Sequence, residues 1–188
     1  VMLKKTTVLA AAIAAALMLG ACSKSDSSQA AASAPAAEKA YVVATDATYA
    51  PFEYLDDNQV VGFSKDILEA IAANQGIKFN FANTPWEGIF ATLGKGDSDI
   101  VSSSVTITDE RKGQMDFSEP YFEATQMIAV NDAKGGDIKS FEDLKKGKHL
   151  ISVQTGTTGD IVSQKLLGKD STQIKRFESM PLALKELL

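Results

Sequence analysis

The chain has 188 residues, 23% of them charged, and a formal net charge of −5. That sign repels phosphate backbones and anionic headgroups, which argues against nucleic acid or an anionic lipid face as a partner. One cysteine and one histidine rule out an internal disulfide and a histidine-cluster metal site, and leave a Ser-His-Asp triad no candidate but His149, in the basic run Lys145-Lys146-Gly147-Lys148-His149 that reads as solvated loop.

Residues 1–21 read as an export signal. Lys4 and Lys5 precede an apolar run from Val8 to Leu19, too short and Ala-rich for a membrane span, and small residues follow at Gly20-Ala21. Cleavage there removes both lysines and leaves a mature net charge of about −7. Cys22 stands at the cut, either as a lipidation site or as an incidental thiol beside an ordinary cleavage point. Residues 22–40 are Ser, Ala, Gln and Lys with one Pro, cannot bury enough apolar surface to order themselves, and read as a flexible tether.

From residue 41 onward, short β-branched or aromatic runs alternate with amphipathic segments. Strands are expected over 41–45, 77–81, 99–103, 126–131, 149–154 and 173–178, and helices over 65–74, 86–94, 108–113, 140–146, 158–167 and 181–188. This alternation predicts an α/β fold with largely parallel sheets and a ligand edge at the strand ends. The polar, Gly-rich break Asn131-Asp-Ala-Lys-Gly-Gly-Asp137 suggests a crossing between a first lobe, 41–130, and a second, 131–188. The last helix starts at Met180-Pro181 and stops at Leu187-Leu188 without a cap or polar tail, so the second lobe is expected to be partial.

Four segments carry candidate chemistry. Asp46, at the end of the first strand, can accept from an ammonium or guanidinium, and Tyr49 can lay its ring over a cationic chain; an Asx turn and a packed tyrosine are the plainer readings. Trp86 shares a helical face with Ile89, Phe90 and Leu93, and periodicity alone makes it core. In Asp99-Ile-Val-Ser-Ser-Ser-Val-Thr-Ile-Thr-Asp-Glu-Arg111, a buried strand runs into hydroxyls, then into a helix start with Thr108 as N-cap. Arg111 falls in that first turn, where the helix dipole disfavours a cation. Either it pairs with Glu110 or Glu119, or it awaits an anionic ligand. Hydroxyls that accept from an ammonium, beside a guanidinium fork, suit the two ends of a free α-amino acid. Gln154-Thr155-Gly156-Thr157-Thr158-Gly159-Asp160, between a strand and a helix, offers N–H groups and hydroxyls to an anion, or is a plain helix cap; it lacks the lysine of a phosphate loop.

Read together, these segments resemble the bacterial extracellular solute-binding proteins that serve amino-acid ABC importers, from about Tyr41 to the end. Ser103-Ser104-x-Thr106-Ile107-Thr108-x-x-Arg111 is similar to the lysine/arginine/ornithine- and histidine-binding members, and Leu19-Gly20-Ala21-Cys22 resembles the lipobox of bacterial lipoproteins. The resemblance implies a two-lobed type II periplasmic-binding-protein fold, without catalysis, cofactor or metal. It implies a monomer lipid-anchored at Cys22 on the periplasmic side of a membrane, delivering a polar amino acid, basic by preference, to an ABC permease. Asp46 and Tyr49 would line the side-chain end of the pocket, with Trp86 in Thr84-Pro85-Trp86-x-Gly88 as a facing platform. Arg111 and Thr106 would hold the α-carboxylate, Ser103 and Ser104 the ammonium, and Thr157 and Thr158 would clamp from the second lobe. An aspartate at position 46 also occurs in glutamine-binding relatives and does not fix the ligand's charge.

Two departures stand out. Gly62-Phe63-Ser64-Lys65-Asp66 carries Ser and Lys where the family signature has an acid and an apolar residue, and both are expected to face solvent. The second-lobe acid that grips the ammonium in relatives has no counterpart here, which implies weak binding by this segment alone. Cyclohexadienyl dehydratases resemble the same receptors and form the alternative, with Asp46 as their only evident acid in the cleft. A sensor domain is a third reading, disfavoured by the lipobox.

Overall fold

The computed structural model describes residues 39–146 and 149–188. The signal segment 1–21, Cys22 and the tether up to residue 38 lie outside the described residues. Ala40, read as the end of the tether, is instead the first residue of strand β1 (Ala40–Thr45).

The first sheet is parallel. β1 lies between β5 (Lys78–Asn83) and β6 (Ile100–Val101), in the order β5-β1-β6. β1 is central because its C-terminal half, Val43, Ala44 and Thr45, is 0–1% exposed and needs cover on both faces. Val43 pairs with Ile100 and Ala44 with Val101, and the Asp99 carboxylate takes the Val42 N–H at 2.8 Å. β6 is shorter than the 99–103 expected, because the hydroxyl-rich turn leaves the ladder at Ser102, whose N–H makes the last bond to Ala44.

A second sheet, β2 (Thr48–Tyr49), β3 (Glu53–Asp56) and β4 (Gln59–Val61), is antiparallel and was not among the expected strands. Its β3–β4 hairpin closes on Asp57-Asn58, both at positive φ, 45° and 60°, the two-residue turn that matches strand twist. Helix α1 (Phe63–Gln75) follows through Gly62. Gly62 has φ +116°, and a Cβ there would sit 2.5 Å from the Phe52 carbonyl oxygen, so only glycine fits. The first amides of α1 donate back to that loop, Phe63 to Pro51 at 3.2 Å and Ser64 to Phe52 at 3.0 Å. Ser64 is therefore buried, 3% exposed, which corrects its expected solvent position. Lys65 bonds to Glu69 and lies 5.7 Å from the centroid of the Phe81 ring.

The helix expected over 86–94 shortens to α2 (Ala91–Lys95). Gly88, at φ +86°, breaks the right-handed path ahead of it. Helix α3 (Asp109–Lys112) starts on Thr108, whose hydroxyl accepts the Arg111 N–H. Residues 126–131 form no strand. They line a cavity of 580 Å³ together with β7 (Ile151–Gln154), helix α5 (Thr158–Leu167) and helix α6 (Met180–Leu187), and an apolar run without a ladder partner has no strand to join.

The later part of the chain builds a separate parallel pair, β7 with β8 (Ile174–Phe177), covered by helix α4 (Asp143–Lys146), α5 and α6. Its core is Leu144, Val153, Ile174 and Ala183, distinct from the Val43, Ala44, Val60 and Ile89 core of the earlier part. The fold is α/β with two lobes, the first carrying a parallel and an antiparallel sheet and the second the β7–β8 pair.

Candidate functional site

Parallel order brings the ends of β1 and β6 to one edge, and the turns that follow them meet. The Asp46 N–H donates to Ser103 Oγ at 3.0 Å. Asp46 is 7% exposed, and its two carboxylate oxygens take different partners: Thr48 Oγ1 donates to Oδ1 at 2.8 Å, and Gln154 Nε2 donates to Oδ2 at 3.0 Å. The Thr48 N–H donates to the Asp46 main-chain carbonyl at 2.8 Å rather than to its carboxylate, so Asp46 forms no Asx turn, and its carboxylate joins a local hydroxyl to an amide of the second lobe.

Gln154 was not a sequence candidate. It ends β7 as Thr45 ends β1, and the strand-end argument that singled out Asp46 would have found it. Its Nε2 also donates to the Glu178 carbonyl at 3.1 Å.

Arg111 is 8% exposed. Its guanidinium donates to the carbonyls of Thr106 at 2.9 Å and Gly156 at 3.2 Å, and lies 5.5 Å and 5.3 Å from the ring centroids of Trp86 and Phe90. Burial pushes its pKa down, against a smaller opposing pull from Glu110. Among the described residues no carboxylate forms an ion pair with Arg111, so the pairing with Glu110 or Glu119 does not occur. A buried guanidinium faced only by carbonyls retains donors for an anion.

Trp86 is half-buried and packs edge-on to Phe90 at 5.2 Å. Its Nε1 lies against Gly156, within 3.7 Å of where a Cβ would stand. Thr106 and Thr158 bring their hydroxyls to 3.3 Å across the lobes, and Gln126 Nε2 donates to Thr158 Oγ1 at 3.1 Å. Thr157 is engaged differently: its hydroxyl accepts the Asp160 N–H and donates to the Gln154 carbonyl at 2.8 Å, the work of an N-cap. Asp160 in turn accepts the Gly156 N–H at 3.0 Å and pairs with Arg176 at 2.9 Å, fixing the turn whose carbonyl meets Arg111.

Ser104 has a left-handed backbone, φ +49°, and donates to Glu53 Oε2 at 3.0 Å. Tyr49 is 41% exposed and stacks on Phe52 at 6.0 Å, in an aromatic group that continues to Phe63 and Phe122. Phe52 is half-buried within that group. Two clusters result. Asp46, Ser103 and Gln154 form one; Trp86, Thr106, Arg111, Gly156 and Thr158 form the other.

Residues 41–178 match the sequence model of the family described as bacterial extracellular solute-binding proteins, family 3. A probable histidine-binding protein of Neisseria gonorrhoeae is 49% identical over 158 residues, covering 82% of this chain and 58% of that protein. The solved arginine-, lysine-, histidine-binding protein ArtJ of Geobacillus stearothermophilus matches with a TM-score of 0.73 at 43% identity, over 79% of this chain and 62% of that one. The ancestral amino acid-binding protein AncCDT-1, a precursor of cyclohexadienyl dehydratase, matches with a TM-score of 0.73 at 42% identity, over 79% and 65%. The chain spans between 58% and 65% of the length of these three. With a family match over residues 41–178 and two lobes that meet at the strand ends, the chain belongs to the bacterial extracellular solute-binding proteins, family 3.

Proposed function

We propose that this protein is the receptor of an amino-acid ABC importer, capturing a free amino acid with a basic side chain between its lobes and passing it to a membrane permease. The observation that carries the reading is Arg111: a buried guanidinium with aromatic walls and no carboxylate partner among the described residues. In this reading Arg111 and Thr106 take the α-carboxylate, and Thr158 joins as the lobes close. Ser103 and Ser104 take the ammonium through their free lone pairs. Asp46 receives the side-chain cation, displacing the Gln154 amide, with Tyr49 and Trp86 flanking the chain. Thr157 acts by capping α5 and so placing Thr158. The basic preference is supported by buried Asp46 and by the basic amino acids after which the Neisseria and Geobacillus relatives are named. Residues 40–130 form the first lobe, Ala40 included as the start of β1, and 131–188 belong to the second. The receptor is a monomer, held by a lipid on Cys22 at the periplasmic face, and performs no chemistry.

The test is thermal unfolding of the natural protein, begun at Ser23 so that no lipid is attached, against the common amino acids and ornithine. Ligand at 100 times its Kd adds about 2.7 kcal/mol. A shift confined to arginine, lysine, ornithine or histidine is the expected result, and no shift with any amino acid overturns the reading. Because the binding protein AncCDT-1 is a precursor of cyclohexadienyl dehydratase, a dehydratase on the same fold is the second reading, and turnover of prephenate by the same preparation would establish it.

A further inference from the structure

Glu53 is 1% exposed and has no cationic partner among the described residues. Its Oε2 accepts two hydroxyls from separate parts of the chain, Ser64 at 2.6 Å from the start of α1 and Ser104 at 3.0 Å from the turn after β6. Its Oε1 is buried without a partner. A buried carboxylate that is only partly satisfied is costly to keep, so the contacts it does make call for an account.

Ser104 supplies one. It is the residue of that turn with a left-handed backbone, a conformation that a residue bearing a Cβ adopts only when its surroundings impose it. It sits between Ser103, whose hydroxyl takes the Asp46 N–H, and Thr106, whose carbonyl takes Arg111. The bend at Ser104 therefore links the two clusters of the site. The Glu53–Ser104 bond is the side-chain contact the structure shows at that bend, and Ser64 anchors Glu53 to a helix whose own first amides are tied to Pro51 and Phe52.

We propose that Glu53 is a positioning residue for amino-acid binding: it holds Ser104 left-handed from beneath and so sets the spacing between Ser103 and Thr106. The proposal rests on the receptor reading above. Desolvation raises the Glu53 pKa against the two serine hydroxyls, which fits a group kept for its acceptor oxygen rather than for its charge.

Glu53→Met fills a similar volume and removes the acceptor; Glu53→Gln restores an amide oxygen that can take both hydroxyls. Two readouts decide, both on the natural protein begun at Ser23. One is affinity for L-arginine and L-histidine by calorimetry. The other, in ligand-free protein, is the Ser104 amide and Cα resonances, which report a left-handed backbone. The expected result is at least a tenfold loss of affinity in Glu53→Met, a thermal midpoint no lower than wild type, Ser104 resonances moved away from left-handed values, and recovery of both in Glu53→Gln. A structural role alone would lower stability and affinity together. Should Glu53→Met not fold, Ser104→Ala removes the same bond from the half-buried side, and because Ser104 is also read as a ligand contact only its backbone readout counts: the residue 104 resonances are expected to move away from left-handed values in the ligand-free protein. Wild-type affinity and Ser104 resonances in these variants overturn the proposal. If the wild type binds neither amino acid, the receptor reading fails, and the Ser104 resonances still decide whether Glu53 holds the turn.

Discussion

Arg111 directs two N–H donors at carbonyls that come from different lobes, Thr106 and Gly156. A carbonyl is a weaker partner for a guanidinium than a carboxylate, so an incoming α-carboxylate has an electrostatic advantage at this site. Arg111→Ala removes a two-pronged, charge-assisted contact, and at about 1.5–3 kcal/mol per bond the affinity for L-arginine or L-histidine falls by a hundredfold or more. Arg111→Lys keeps the charge but not the fork and recovers only part of it. Calorimetry on both variants checks this, and wild-type binding by Arg111→Ala would remove the carboxylate assignment. Arg111 was legible in the sequence because a cation in a first helical turn conflicts with the dipole, and Asp46 because it ends a buried strand. Gln154 and Glu53 gave weaker signals. Each matters through a contact with a residue more than fifty positions away, Gln154 with Asp46 and Glu53 with Ser104, and spacing carries no trace of such contacts.

At the scale of elements, glycine decided where the expected boundaries failed. Gly88 stops a helix whose apolar spacing continues back to Trp86, which leaves the tryptophan on a turn beside Gly156 rather than packed along a helix face. The hairpin of β3 and β4 carried its own signal, Asp57-Asn58 between β-prone residues, while the 126–131 run showed that apolar composition without a partner strand misleads. Gly62 is the most demanding of these positions. It joins β4 to α1 at positive φ and packs directly on the Phe52 carbonyl. Gly62→Ala is expected to destabilise the first lobe by about 1–3 kcal/mol from backbone strain alone, with the Cβ clash in addition. Because Gly62 precedes the Ser64 that anchors Glu53, the loss should extend to Ser104 in the turn after β6. Urea unfolding gives the magnitude. A Gly62→Ala protein with an unchanged midpoint would mean the loop relaxes more freely than its hydrogen bonds to Pro51 and Phe52 suggest.

For the molecule as a whole, two carboxylates give stability opposite dependences on pH. Glu53 is buried and its pKa is raised, above the 4.5 of an ordinary glutamate, by desolvation. The folded state therefore binds its proton more tightly than the unfolded state, and the stability this confers is present below pH 4.5 and is lost as pH rises through the folded pKa. Asp143 opens α4 and ties it to the preceding loop, accepting from the Ser140 hydroxyl at 2.8 Å and the Lys139 N–H at 3.1 Å, and its pKa is lowered from 3.8 to about 2. Its contribution has the other sign: present above pH 3.8, lost as pH falls toward about 2. Urea midpoints measured from pH 2 to 8 separate the two. Glu53→Gln should match the wild type at low pH and exceed it increasingly above pH 4.5, since an amide cannot ionise in the buried pocket. Asp143→Asn should fall below the wild type at neutral pH and converge with it as pH drops through 3.8. The first difference reports a group beneath the turn after β6 and the second a loop-to-helix tie in the other lobe. Parallel curves for Glu53→Gln and wild type across this range would mean that Glu53 is ionised and solvated in the folded protein, and would remove the buried acceptor on which the placement of Ser104 depends.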